Sequence, residues 1–462
     1  MKLFSLAFRN LLRNRRRSVT TLIAMVVGIA TVLLFGGYSR NITYSLQTGY
    51  VLRSGHLQVQ RKGYFLYGMG NPAAYGIPRY QRIIDLVKQD PVLAPMIAVV
   101  TPTLSLNGIA SNPAREVSHT VFGTGFIVED RNRMRQWNDY ALSFVMAESP
   151  LTETAMDSAV IGAGVARLLG LCEPLHVTGC APAEPVGPGA GEPAPDDIVA
   201  LAGQERRPSS AADEARIDVL AANVHGAPNV ASLRVIKAEP QAFKEFDDTY
   251  LGMHLEQAQR LLYGGETPQV TAVTLQLVHT SQIPAARARL QQLLDTTLAS
   301  EPLEIQDFET LNPFYGQAVK MFRAIFGFMA VLIGAIVLFT VSNTMSMAVV
   351  ERTTEIGTLR AMGLRRSGIR RMFACEALLL GAMGSASGLV VALAAAWLVN
   401  HSGLTWLPPG QVEPLPLTVR LWGETQLMLG TAAGLLLVSV LSAWWPARRA
   451  GRMVIVDALR HV

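Results

Sequence analysis

Glu351, Glu355, Thr358 and Met362 recur at spacings of four, three and four residues, which places them on one face of a helix, while Val349, Ile356 and Leu359 share another. They lie in an amphipathic, Arg-rich stretch between two long apolar segments, running from about Met347 to Phe373, and Gly363 supplies a C-terminal stop for the helix. The chemistry open to such a face is electrostatic and mechanical. A charged edge is offered to a soluble partner while the apolar side stays anchored, so a push on the helix reaches the segments on either side. Bond-making chemistry finds no support. No Gly-x-x-x-x-Gly-Lys-Ser/Thr phosphate cradle exists, the eight histidines lack metal-ligand spacing, and neither His-Glu-x-x-His nor a nucleophile elbow occurs. The expectation is no intrinsic enzyme, no catalytic residue, no metal site and no cofactor.

The elements that must position this face belong to a membrane protein. Of 462 residues, 50% are hydrophobic and 16% charged, and the mean hydropathy is +0.27, too apolar for an ordinary soluble chain. Four runs reach the roughly 20 residues that cross a bilayer core: 18–38, 322–345, 373–399 and 425–445. Basic residues are retained on the cytoplasmic side. Lys2, Arg9, Arg13 and Arg15–Arg17 precede the first run; Arg352, Arg360, Arg365, Arg366, Arg370 and Arg371 follow the second; Arg448, Arg449, Arg452 and Arg460 follow the fourth. This predicts cytoplasmic segments at 1–17, 347–371 and 446–462, a large periplasmic domain at 41–320 and a periplasmic loop at 400–424. The first run reads as an uncleaved signal anchor. The net charge of +5 reports this topology and not nucleic-acid binding. Apart from Arg323 and Glu376 the spans lack ionisable residues, so no charged pathway is visible.

Within 41–320 a β-α-β pattern occurs twice, as 56–60, 79–89 and 97–107, and again as 273–277, a helix opened by Ser281 and Pro284, and 303–308. Val273, Leu275 and Leu277 alternate with Thr274 and Gln276 as in a half-buried strand. The fold class expected is a four-helix membrane protein plus an α+β periplasmic domain. In that domain 50–109 and 270–310 form a membrane-proximal lobe, and 110–269 are inserted as a second one. The Ala-, Pro- and Gly-rich stretch 181–215 reads as a disordered excursion or a partner-binding segment. Cys172 and Cys180 either form a disulfide or stay as two thiols, and Cys375 is an apolar filler. Gly381, Gly384, Ser385 and Gly388 give the third span a small-residue face, which serves a dimer contact or an internal one. Trp444 and Trp445 form an interfacial belt.

The stretch Glu351-Arg352-Thr353-Thr354-Glu355-Ile356-Gly357-Thr358-Leu359-Arg360-Ala361-Met362-Gly363, with Pro446-Ala447-Arg448-Arg449-Ala450, Val456-Asp457-Ala458-Leu459-Arg460 and Ala7-Phe8-Arg9-Asn10-Leu11-Leu12-Arg13-Asn14, resembles the FtsX-like permease family of ABC transporters. That group includes MacB and the lipoprotein-releasing subunits LolC and LolE. Val160-Ile161-Gly162-Ala163-Gly164-Val165-Ala166 is similar to a further family segment. The resemblance implies an inner-membrane permease working as a dimer, with a second copy or a sister permease, on a cytoplasmic ABC ATPase that binds the ATP and Mg. The missing phosphate cradle departs from MacB, whose ATPase is fused, and matches split systems.

By resemblance the coupling helix docks on the ATPase through Glu351, Glu355, Thr358 and Met362. Arg352 and Arg360 pair with its acids or with lipid phosphates, Gly357 allows close backbone approach, and Ile356, Leu359 and Gly363 complete the motif. The other reading of these residues is an amphipathic helix resting on membrane lipid. The favoured function is mechanotransmission for lipoprotein release. The alternatives are MacB-like efflux with a periplasmic adaptor, and an FtsX-like scaffold that activates a periplasmic cell-wall hydrolase.

Overall fold

The computed structural model describes residues 9, 13, 15–142, 146–179, 215–407, 412 and 414–460. The chain opens with helix α1 (Arg15–Ser54). Strand β1 (Leu57–Arg61), helix α2 (Tyr80–Gln89), β2 (Ile97–Asn112), β3 (Val117–Phe126) and α3 (Val128–Arg135) follow. After these come β4 (Ser158–Gly162), α4 (Ala163–Leu168), β5 (Arg216–Ala222), β6 (Pro228–Glu239), β7 (Tyr250–His254), α5 (Leu255–Tyr263), β8 (Ala272–Leu277), α6 (Ile283–Thr296) and β9 (Leu303–Asp307). The chain ends in helices α7 (Pro313–Glu351), α8 (Thr353–Ala361), α9 (Arg366–His401), α10 (Thr425–Arg452) and α11 (Ile455–Arg460). Two compact units divide it, Leu46–Tyr315 with Leu407–Leu415, and the helical remainder.

In the helical unit, α1, α7, α9 and α10 are each long and apolar enough to cross a membrane. With 40 residues in α1 and 39 in α7, these two helices measure about 60 Å at 1.5 Å per residue, twice a hydrocarbon core. The expected spans 18–38 and 322–345 are therefore apolar parts of longer helices, the first at the N-terminal end of α1 and the second in the middle of α7. Their packing is built from small gaps and matched apolar knobs. Met25, Ile29 and Leu33 of α1 are buried with Val337 and Val341 of α7, Phe373, Ala377 and Leu380 of α9, and Ala443 and Ala447 of α10. Within this packing a polar tie joins α1 to α7, where the Thr21 and Thr344 hydroxyls lie 2.8 Å apart, and a second joins the N-terminal end of α1 to the C-terminal end of α7, where Arg17 meets Glu351.

In the other unit the described strands form one nine-stranded sheet, ordered β3-β7-β4-β6-β5-β2-β8-β1-β9, in which β3 also pairs with β2. Strand β2 makes this possible. Its first half, Ile97–Thr103, pairs antiparallel with β8, and its second half pairs with β3 along one edge and with β5 along the other. The pairings β2-β3-β7-β4-β6-β5 thereby close a ring of six strands, which leaves none of these edges open to aggregation. Leu104, Leu106, Val121, Ile161, Val219, Leu233, Leu251 and Met253 are buried in the core.

The lobe boundary expected near 109–110 falls inside β2, so 110–269 continue the same sheet. Strand β8 differs from its expected half-buried state. All six of its residues are buried, because it is flanked by β2 and β1 while both faces are covered. Thr274 meets Thr103 at 3.1 Å and Gln276 donates to the Met134 carbonyl at 3.1 Å, so both polar side chains of the alternating pattern find a hydrogen bond indoors, although the Gln276 Oε1 is left without one.

The segment Val160–Ala166 is β4 turning into α4. The buried Asp247 carboxylate accepts from the Ala163 and Gly164 amides at 2.9 and 2.8 Å and from the Gln241 amide at 2.9 Å. It satisfies the open amides at the helix start and sets a negative charge there. A Cβ at Gly162 would overlap the Asp247 carbonyl, so the segment's glycine is a packing requirement. At the end of α1, the buried Arg131 guanidinium donates to the Leu52 and Arg53 carbonyls, each at 2.9 Å. Burial lowers the Arg131 pKa to about 10.

Residues 181–214 of the expected excursion lie outside the described residues, whereas Ala215 is buried and leads into β5. Cys180 is outside them too, and Cys375 is a free, half-buried thiol.

Candidate coupling site at the helix Thr353–Ala361

Between α7 and α8 the chain breaks for one residue. Arg352 leaves helical geometry, with φ −108° and ψ 19°, while its carbonyl still accepts from the Ile356 amide at 2.9 Å. The Arg352 guanidinium turns into the helical unit and lies 2.9 Å from a Glu376 carboxylate oxygen of α9, with the two side chains 7% and 3% exposed. Helix α8 then runs to Ala361 and stops at Gly363, whose φ of +95° a side chain would strain. The Gly363 amide donates to the Arg360 carbonyl at 3.0 Å and the Leu364 amide to the Leu359 carbonyl at 3.0 Å, the paired bonds that close a helix at a C-terminal glycine.

The helix has two distinct sides. Thr353, Ile356 and Gly357 are buried, and Ile356 packs in the same core as Ile369, Met372 and Phe373. Thr354, Glu355, Thr358 and Met362 are exposed, and Leu359 and Arg360 are half-buried. Glu351 closes α7 and does not belong to α8, but its exposed carboxylate stays next to this outward side. The inward side is thus packed on protein. The outward charges are engaged at and just before the start of α1: Arg17 meets Glu351 at 3.1 Å, and the Arg13 guanidinium meets Glu355. Arg360 donates to the Met453 carbonyl beyond the end of α10.

Two expectations change. Arg352 does not face outward to a partner's acids or lipid phosphates, because its charge is needed by Glu376 indoors. Arg360 likewise spends a guanidinium nitrogen on a backbone carbonyl. The partners Arg13, Arg17 and Glu376 were not legible as partners. They lie 342, 334 and 24 residues from the groups they meet, and only the rarity of an ionisable residue within an apolar run marks Glu376.

The small-residue face of α9 packs inside the chain. A Cβ at Gly384 would come within 2.9 Å of the Met25 Cβ, one at Gly388 would overlap Ile29, and one at Gly381 would meet the Ser439 hydroxyl at 2.9 Å. Ser385 is buried on the same face. These glycines let α9 approach α1 and α10 closely, so they hold the frame to which α8 is anchored through Arg352 and Glu376.

Residues 325–455 match the family described as FtsX-like permease C-terminal. The ABC transporter permease YtrF of Bacillus subtilis is 33% identical over 160 residues, 34% of this chain and 35% of that protein. The macrolide export ATP-binding/permease protein MacB of Hyphomonas neptunium is 28% identical over 193 residues, 41% of this chain and 27% of that protein. The lipoprotein-releasing system transmembrane protein LolC of Neisseria meningitidis is 25% identical over 244 residues, 51% of this chain and 56% of that protein. The matches thus span between about a quarter and somewhat over half of each relative. The family match contains the broken helix junction, the glycine face of α9 and the end of α10. Through these residues the C-terminal part of the chain, 325–455, is similar to the FtsX-like permease C-terminal family, and the relatives it matches are ABC transporter permeases.

Proposed function

We propose that the chain is the membrane subunit of a mechanotransmission-type ABC transporter, held in the inner membrane with both termini and α8 in the cytoplasm and the sheet unit in the periplasm. A separate ATPase docks on the outward side of α8. The closing of that ATPase pushes the helix, and the spans relay the push to the periplasmic unit of a dimer. The favoured cargo is a lipoprotein released from the membrane.

The observation that carries this reading is the two-sidedness of α8. An outward row of Glu355, Thr358 and Met362 is backed by a buried side locked to α9, so a force applied outside has a rigid route inward. Lipoprotein release is preferred because, of the three relatives named, LolC aligns over the largest share of both chains. Macrolide-type efflux is the second reading, supported by the MacB relatives.

The test is ATP hydrolysis by the chain reconstituted with its cognate ATPase. A lipidated protein is expected to change the rate, and Glu355→Arg to reduce it to that of the ATPase alone. A rate that responds to a macrolide and not to a lipidated protein would replace release by efflux. A Glu355→Arg variant identical to wild type would remove the docking assignment.

A further inference from the structure

At the C-terminal end of α10 a cavity of about 720 Å³ opens, lined by Trp445, Arg448, Arg449, Arg452, Met453 and Thr353. On a helix, Trp445, Arg448 or Arg449, and Arg452 follow the three- and four-residue spacing that stacks side chains on one face. All three arginines are exposed, and none makes an ion pair or side-chain hydrogen bond with a described residue. The arginines nearby on the α8 side are already engaged, Arg352 by Glu376 and Arg360 by the Met453 carbonyl. Three like charges within two helical turns repel one another until an anion joins them.

The rest of the lining narrows the chemistry of that anion. Guanidinium forks match oxygens held on one centre, as in a phosphate. The cavity also has an apolar side. Trp445 is 65% exposed and Val454, which joins the lining, is 60% exposed. A bare phosphate would leave that side wet. A molecule with a phosphate at one end and hydrocarbon at the other covers both. The site also lies at the end of a helix long and apolar enough to cross a membrane, the depth at which Trp and lipid headgroups meet.

We infer that this cavity binds an anionic phospholipid, with the phosphate on Arg448, Arg449 and Arg452 and the glycerol and first acyl carbons against Trp445 and Val454. Because Thr353 begins α8 and lines the same cavity, the bound lipid braces the junction between α8 and α10.

The test is native mass spectrometry of the full chain released from mixed micelles holding equal amounts of phosphatidylglycerol and phosphatidylcholine. The wild type is expected to retain phosphatidylglycerol several-fold over phosphatidylcholine. The triple variant R448Q/R449Q/R452Q is expected to retain the two equally. Since that variant removes charges that orient the helix, R448K/R449K/R452K, which keeps the charge and removes the forks, is measured beside it and should show a reduced preference. W445A should retain less of both lipids. An equal preference in wild type and both triple variants would overturn the site. So would full displacement of the lipid by inorganic phosphate, which would mark it as a free-anion site. Loss of ATPase co-purification in the Gln triple, with lipid retention unchanged, would overturn it in favour of a protein partner's carboxylates.

Discussion

Arg352 and Glu376 leave water together at the one-residue break before α8, and their pairing accounts for a carboxylate inside an apolar helix. Removing one partner leaves the other charge buried and alone, which costs about 3–5 kcal/mol, whereas exchanging both for apolar residues of similar size is nearly neutral. Arg352→Ala is therefore expected to lower the unfolding midpoint of the detergent-solubilised chain sharply. Arg352→Met combined with Glu376→Leu should recover most of that loss, and a double variant as unstable as the single one would refute the pair. His56 gives a second residue-scale prediction. It is fully buried, its Nδ1 accepts from the Leu277 amide at 2.9 Å, and Trp137 packs edge-on against its ring. Burial lowers its pKa from 6.5 to about 4, with Asp139 opposing. The folded state thus resists a proton that the unfolded chain accepts. The stability His56 contributes is complete above pH 6.5 and is lost as pH falls to 4, by about 3 kcal/mol at 1.36 kcal/mol per pKa unit. His56→Asn should flatten that part of the stability profile relative to wild type. The outward row of Glu355, Thr358 and Met362 was legible because helical period needs only neighbours in sequence. The inward turn of Arg352 was not, because it depends on a group across a second helix.

Among the elements, α9 carries the tightest requirement. Its glycines face Met25, Ile29 and Ser439 without room for a Cβ, so Gly388→Val is expected to destabilise the helical unit by at least about 1–3 kcal/mol through overpacking, read as lower thermostability in detergent. Gly384→Leu should act likewise, while Gly430→Leu, whose site on α10 is open, should be neutral. If Gly388→Val kept full stability but changed only oligomeric state, the face would belong to a dimer instead. A milder effect is expected of Gly363→Ala, about 1 kcal/mol for holding a side chain at positive φ, seen as fraying of the end of α8 in hydrogen exchange. The four helices long and apolar enough to cross a membrane were legible because hydropathy and length are local quantities. Small residues within α9 announced close packing without naming its partner, since a glycine row fits a neighbour in the same chain as well as one in another. The sheet was partly legible. Strand positions near both ends of 41–320 were legible from local sequence, the one at 273–277 from alternation, but the ring closed by the long β2 depends on register between strands far apart in sequence, which no local pattern encodes. Alternation also misjudged β8, whose polar residues find hydrogen bonds indoors.

The whole molecule combines a two-sided α8, an internal frame of α1, α9 and α10 that anchors it, and a sheet unit whose core is its own. The frame matters because a push on α8 does work only if the helix cannot slide. Loosening it at Arg352→Ala is therefore expected to leave ATPase binding intact while cargo no longer changes the hydrolysis rate of the reconstituted complex. Equal loss of binding and response would argue that Arg352 only holds the fold. The most direct test of the central claim is photo-cross-linking from Thr358→Cys, carrying a light-activated probe, in membranes that contain the cognate ATPase, with Cys375 replaced by Ser. The account predicts an adduct between the chain and the ATPase subunit from Thr358, and none from a probe at the exposed Val390 of α9. Adducts to lipid alone from Thr358, with the ATPase present and active, would contradict it.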